Sequence, residues 1–256
     1  MALNTPTLSW TGKRIWIIGA SSGIGAAMAQ QIMQQGALVV LSARRLERLQ
    51  QVAQDHEHAF VVPFDATDTL AWRAAYQHVL AQLGGLDLVV FCAADYRPER
   101  SWEVTATAAM HTLKINLGSV YAGLETVLPA MLAQGCGGIA LVASVAGYIG
   151  LPNATVYGPS KAALINLAEI LYTDLHPRGL NVYLINPGFV ATELTEKNSF
   201  YMPALQTAGQ AAQAIWRGIR AGQFEIHFPR RFTMVLKLMR LLPYRWRFFL
   251  MKRVAP

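Results

Sequence analysis

Short apolar runs alternate with longer amphipathic segments along this 256-residue chain. The runs predict strands over 14–19, 38–42, 59–63, 86–92, 139–143, 180–185 and 224–227. Between them, apolar positions recur at helical spacing and predict helices over 23–35, 46–54, 69–82, 105–133, 155–175 and 208–221. Gly36 and the pair Gly84-Gly85 close two of these helices. The strands are apolar on both faces, as a parallel sheet covered by helices on both sides requires. The alternation predicts an α/β fold, a doubly wound sheet of seven parallel strands. No Pro-, Gly- or Ser-rich boundary and no repeat divides the chain, so one domain is expected.

The first strand runs into Gly19, Ala20, Ser21, Ser22, Gly23, Ile24 and Gly25, and a helix follows. Glycines here allow a tight turn, and the amides that open the helix face outward and favour negative charge. The spacing is Gly-x-x-x-Gly-x-Gly. At the first strand-to-helix junction it points to a dinucleotide diphosphate and to a Rossmann-type domain. The second strand ends in Ser42, Ala43, Arg44 and Arg45, with no carboxylate for a ribose 2′-hydroxyl. Arg44 offers a planar fork to a 2′-phosphate, with Ser21 as a second contact, so NADP(H) is expected over NAD(H). The plainer reading of Arg44 is a solvated residue at a helix start. Asp65, followed by Ala66, stands where the adenine would lie, or else caps the turn that follows.

Tyr157 and Lys161 are four residues apart at the start of a predicted helix. That spacing stacks them on one helix face. An ammonium beside a phenol favours the phenolate, so a lowered Tyr157 pKa is expected, suited to proton transfer at neutral pH. An isolated pair of this kind is more often a surface accident.

Composition narrows the field. A hydrophobic fraction of 53% and a charged fraction of 14% describe a well-buried globular chain. Cys92 and Cys136 form no framework, and the six histidines show no ligand spacing, so neither disulfide nor metal is expected. Residues 1–13 show no signal-peptide pattern, and no apolar run reaches the roughly 18 residues of a membrane span. A cytoplasmic protein is the expectation, with peripheral membrane association left open. The net charge of +7 is local: residues 217–256 hold ten Lys/Arg against Glu225, which leaves residues 1–216 at −2. A nucleic-acid partner does not follow from the overall basicity.

Taken together, these motifs resemble the short-chain dehydrogenase/reductase family from about residue 12 to residue 227. Gly19–Gly25 matches its cofactor turn, and Tyr157 and Lys161 match its Tyr-x-x-x-Lys pair. Ser144 stands where that family keeps its active-site serine, and Asn116 matches its tetrad asparagine. The segment containing Pro187, Gly188, Val190 and Thr192 matches the part that covers the nicotinamide. One departure is plain. Phe91, Cys92, Ala93 and Ala94 replace the family's Asn-Asn-Ala-Gly, although small Ala93 still permits a close ribose.

The resemblance implies hydride transfer between NADP(H) and a carbonyl or alcohol. Tyr157 would pass the proton, and Ser144 would bind the substrate oxygen. Lys161 would tune Tyr157 and hold the ribose, and Asn116 would hold a water that relays protons to Lys161. It also implies a homodimer or homotetramer through helices 105–133 and 155–175. The alternatives are a catalytically idle NADP-binding sensor or scaffold, and an epimerase or dehydratase. The loops 95–102, 148–155 and 193–203 would select the substrate, expected to be apolar. Beyond residue 228 the chain is basic and amphipathic, with predicted helices over 233–242 and 244–253. Such a tail suits either an anionic membrane surface or a flap over the substrate crevice.

Overall fold

The computed structural model describes residues 2–54, 56–198 and 200–254, with side chains through Met251. The elements follow in chain order: β1 (Arg14–Ile18), α1 (Gly23–Met33), β2 (Leu38–Ser42), α2 (Leu46–Ala53), β3 (Ala59–Val61) and α3 (Ala71–Leu83). Then come β4 (Leu88–Phe91), α4 (Ala106–Leu113), α5 (Ser119–Gln134), β5 (Gly137–Val142), α6 (Tyr157–Leu175) and β6 (Leu180–Pro187). The chain closes with β7 (Val190–Ala191), β8 (Gln206–Thr207), α7 (Ala208–Arg220), β9 (Glu225–Phe228), α8 (Arg230–Leu241) and α9 (Tyr244–Val254).

Seven strands form one parallel sheet in the order β3-β2-β1-β4-β5-β6-β9, the expected Rossmann-type architecture. The side-chain alternation of β1 shows why both faces are covered. Trp16 and Ile18 enter one core layer with Trp72 and Val79 of α3, Val127 of α5 and Leu164 of α6. Ile15 and Ile17 enter the other with Met28 and Ile32 of α1, Leu49 of α2 and Ile215 of α7. Trp16 and Trp72 meet edge to face, 5.5 Å apart. The buried Trp16 indole donates to Ser42 Oγ at 2.8 Å, so its one polar atom is satisfied.

Three details differ from the sequence expectation. Helix 105–133 is not continuous, because a π-turn over Lys114–Gly118 separates α4 from α5. Periodicity does not see such a bulge, because the apolar face resumes beyond it. The two-residue parallel pair β7–β8 is too short to leave a pattern. The first tail helix begins at Arg230, not 233, and is docked. Thr233 and Leu236 are buried, and Phe232 packs against Phe189 with ring centroids 5.8 Å apart. Lys237 of α8 pairs with Glu225, which also accepts from Tyr148 Oη and from Asn186 Nδ2 at 2.9 Å. Burial pushes the Glu225 carboxyl up, but these three donors outweigh it and hold the pKa below its ordinary value.

Candidate active site

The sheet order reverses between β1 and β4, and a crevice opens at such a switch point beyond the strands' C-terminal ends. A cleft of about 300 Å³ lies there. It is lined by the expected residues of the glycine turn, by Arg44, Asp65, Ala66 and Ala93, and by Pro187, Gly188, Val190 and Thr192. Ser144, Tyr157 and Lys161 line the same space.

The glycine turn is shaped by close backbone approach. A Cβ on Gly19 would lie 2.4 Å from the Ala93 nitrogen, and one on Gly25 would lie 2.2 Å from the Gly19 carbonyl oxygen. Gly19 also has φ +92°, in the left-handed region. Ser22 at the start of α1 makes no side-chain cap, and the first turn holds no acid. Its amides therefore face the cleft without a protein acceptor from the cap residue, which fits a diphosphate. Gly19→Ala adds a clash to a strained backbone costing about 1–3 kcal/mol. NADPH fluorescence titration of that variant should show binding weakened at least about tenfold.

Arg44 lines the cleft and forms no ion pair among the described residues. Its neighbours Arg45 and Arg48 both engage Glu193, Arg45 at 3.7 Å, which ties α2 to the loop after β7. Asp65 does cap the turn, since Oδ1 accepts from the Thr67 amide and hydroxyl at 2.9 Å each. Burial pushes this carboxyl up, but the Thr67 bonds with nearby Arg44 and Lys114 win and hold it low.

Ser144 lies two residues past the end of β5 and caps a single 3-10 turn, its Oγ accepting from the Ala146 amide at 3.1 Å. Tyr157 begins α6, and Lys161 follows one turn on, 2% exposed. Lys161 Nζ stands 5.4 Å from the Tyr157 ring centroid and donates to the Val142 carbonyl at 2.8 Å. The expected lowering of the Tyr157 pKa is not found. Desolvation by the surrounding packing pushes the phenol up to about 12, and a hydrogen bond with Ser144 recovers only part of that shift. Burial instead acts on the lysine, lowering it to about 8. Cys92, in the departing segment, is pushed up to about 11 by burial, so the thiol beside Lys161 is neutral at pH 7.

Asn116 does not line the cleft. It sits fully buried in the π-turn, its Oδ1 accepting from the Asp95 amide at 2.7 Å. Its Nδ2 donates to Asp95 O and Ser160 Oγ, at 3.0 Å each. The side chain thus ties the loop after β4 to α6, a bracing role that sequence spacing does not reveal.

Two further groups escaped sequence reasoning. Tyr96 packs edge-on against Tyr157 at 4.9 Å, donates to Asn198 Oδ1 at 2.7 Å, and its carbonyl accepts from Lys197 Nζ at 2.9 Å. Glu193 latches the same loop to α2. Both sit in irregular segments, where no periodicity or motif marks them. Thr155 Oγ1 donates to Glu99 O at 3.0 Å, so loops 95–102, 148–155 and 193–198 join around Tyr157. Ser199, within the expected specificity loop, lies outside the described residues.

A family model described as short chain dehydrogenase matches residues 13–200. An uncharacterized oxidoreductase of Myxococcus xanthus is 33% identical over 231 residues, spanning 89% of this chain and 91% of its own. One of Staphylococcus epidermidis is 33% identical over 185 residues, 72% of this chain and 80% of its own. Among solved structures, a short chain dehydrogenase/reductase from Burkholderia phymatum in complex with NAD superposes with TM-score 0.82. It is 23% identical, with 91% of this chain and 94% of that one covered. A 3-ketoacyl-(acyl-carrier-protein) reductase from Brucella melitensis complexed with NADH gives TM-score 0.78 at 24% identity, covering 87% of this chain and 99% of that one.

Proposed function

The chain belongs to the short-chain dehydrogenase/reductase family of NAD(P)-dependent oxidoreductases, and from that premise we propose that it reduces an apolar carbonyl compound with NADPH. The observation that carries the reading is the meeting of Ser144, Tyr157 and Lys161 with the glycine turn in one cleft. When bound, the nicotinamide supplies the hydride. The α1 amides, with Ser21, Ser22, Gly23, Ile24 and Gly25, would hold its diphosphate. Asp65 and Ala66 would border the adenine, and Ala93, Pro187, Gly188, Val190 and Thr192 the nicotinamide half.

The chain's own part is orientation and proton transfer. Ser144 Oγ holds the carbonyl oxygen, and Tyr157 Oη donates a proton to it as negative charge develops. Lys161, charged below its pKa of about 8, stabilises the tyrosinate left behind and holds the nicotinamide ribose. Asn116 braces the Asp95 loop and Ser160, and a water held beside it would link Lys161 to solvent for proton return.

Arg44, which lines the cleft and forms no ion pair among the described residues, and the absence of a carboxylate at the end of β2 support NADP(H) over NAD(H). A charge-assisted phosphate contact is worth about 1.5–3 kcal/mol. Arg44→Ala should therefore raise the NADPH KM at least about tenfold and leave the NADH KM nearly unchanged. Following NADPH absorbance across apolar aldehydes and ketones tests both the activity and the preference. NADPH left unconsumed by every carbonyl in the panel would overturn the first, and equal effects on both cofactors the second. Met110, Tyr121 and Ile170 are 65%, 55% and 50% exposed on α4, α5 and α6, which supports a homodimer or homotetramer through these helices. A cytoplasmic location is part of the same proposal, and two unpaired cysteines are consistent with it.

A further inference from the structure

α8 has two apolar faces. The inner one, Phe232, Leu236 and Met239, packs onto the core. The outer one carries Val235, Leu238 and Leu241, which are 55%, 60% and 79% exposed. α9 follows with Tyr244 and Phe248 on one side and Trp246 on the other, each 58% exposed or more. The inner face leads to further exposed aromatics. Phe232 meets Phe189, Phe189 meets Phe200 at 5.9 Å, and Phe200 and Tyr201 are 37% and 86% exposed. A folded chain rarely leaves so many large apolar side chains together in water without a partner surface.

Charge decides which partner. From Pro229 onward the sequence holds eight Lys/Arg and no Asp or Glu. Arg231 is exposed on the outer face of α8, Arg240 near its C-terminal end and Arg245 on α9, while the side chains of Lys252 and Arg253 lie outside the described residues. A second copy docked on this face about a two-fold axis would set basic groups against basic groups. No helix among the described residues is long and apolar enough to cross a membrane, and the 12 residues of α8 reach only about 18 Å. Trp, Tyr, Phe and Leu flanked by Arg, on short helices, match the chemistry of the headgroup and acyl boundary.

We propose that the outer face of α8 and α9 lies in the interface of an anionic bilayer. On the inner side of the same helix, Phe232 reaches Phe189 and Phe200, and so the loop whose Asn198 meets Tyr96 over Tyr157. Resting on the proposed function, this places the mouth of the active-site cleft beside a lipid phase from which an apolar carbonyl can enter.

The test is sedimentation of the full chain with vesicles of phosphatidylcholine alone and of phosphatidylcholine with about one-third phosphatidylglycerol, and it does not depend on activity. The wild type should pellet with the anionic vesicles only, and less as salt rises. The triple variant R231Q/R240Q/R245Q should lose about a hundredfold in partitioning, at about fivefold per charge. Trp246→Ser with Phe248→Ser should weaken binding and keep the salt dependence. All five positions are exposed, so thermal melting should be unchanged. Wild-type protein that stays in the supernatant, or a charge variant that pellets like wild type, would overturn the proposal. So would a wild-type oligomer that dissociates in the aromatic variant while its vesicle binding is unaltered, since that face would then join copies of the chain.

Discussion

Tyr157→Phe is expected to lower kcat for carbonyl reduction by about 10²–10⁴-fold, the usual worth of a positioned acid. NADPH affinity should stay nearly unchanged. The variant removes one oxygen and keeps the ring that packs against Tyr96. Because the phenol is pushed up to about 12, it holds its proton throughout the neutral range. The cleft therefore presents an acid ready for reduction. The reverse direction needs the tyrosinate, which is scarce until the pH approaches that value. The pH dependence follows with its sign. Reduction should show no dependence on Tyr157 ionisation below about pH 10 and should fall only as Lys161 loses its charge above about pH 8, whereas alcohol oxidation should climb with pH up to that point. Stopped-flow measurement of both directions from about pH 6 to 10 checks this. Undiminished reduction by the Phe variant would remove Tyr157 from the proton-transfer step.

The same pair marks where the sequence stops being informative. The sheet was legible because every strand from β1 to β6 carries apolar residues on both faces, and because the Gly19–Gly25 turn can sit only where a helix starts close against a strand. The residues that line the cleft were legible for the same reason: they follow strand ends, whose positions periodicity fixes. Electrostatics was not. Spacing placed Lys161 one helical turn from Tyr157 but could not show that its ammonium reaches the Val142 carbonyl, or that packing would outweigh the charge. The bonds of Asn116 to the Asp95 loop and to Ser160 were not legible, because they join segments far apart in the chain. Tyr96 and Glu193 act through tertiary contacts between loops, and such contacts leave no local pattern.

Lys161→Met should remove turnover and stabilise the protein at neutral pH. A lysine 2% exposed, with a pKa lowered from 10.5 to about 8, is held in a place that disfavours its charge. The shift corresponds to about 3 kcal/mol at ~1.4 kcal/mol per unit. Below about pH 8 both folded and unfolded chains carry the proton, so the whole cost is present. Between about pH 8 and 10.5 only the unfolded chain holds it, and the wild type gains stability as the pH rises through that window. Methionine matches the length and has no charge to desolvate, but it strands the Val142 carbonyl, which costs about 1–3 kcal/mol. The first effect is the larger at neutral pH, so the variant should unfold at higher urea, by a margin of about 1–2 kcal/mol. Near pH 10 the lysine burial cost is almost gone and the stranded carbonyl remains, so the order should reverse. Tyr157 titration is common to both chains and cancels in the difference. Urea unfolding of wild type and variant at about pH 7 and about pH 10 reads the crossing directly, and a variant less stable at both would show that the lysine is structural. If the crossing is found, a buried cation is being kept where it weakens the fold, and the role that explains its presence is the one beside Tyr157.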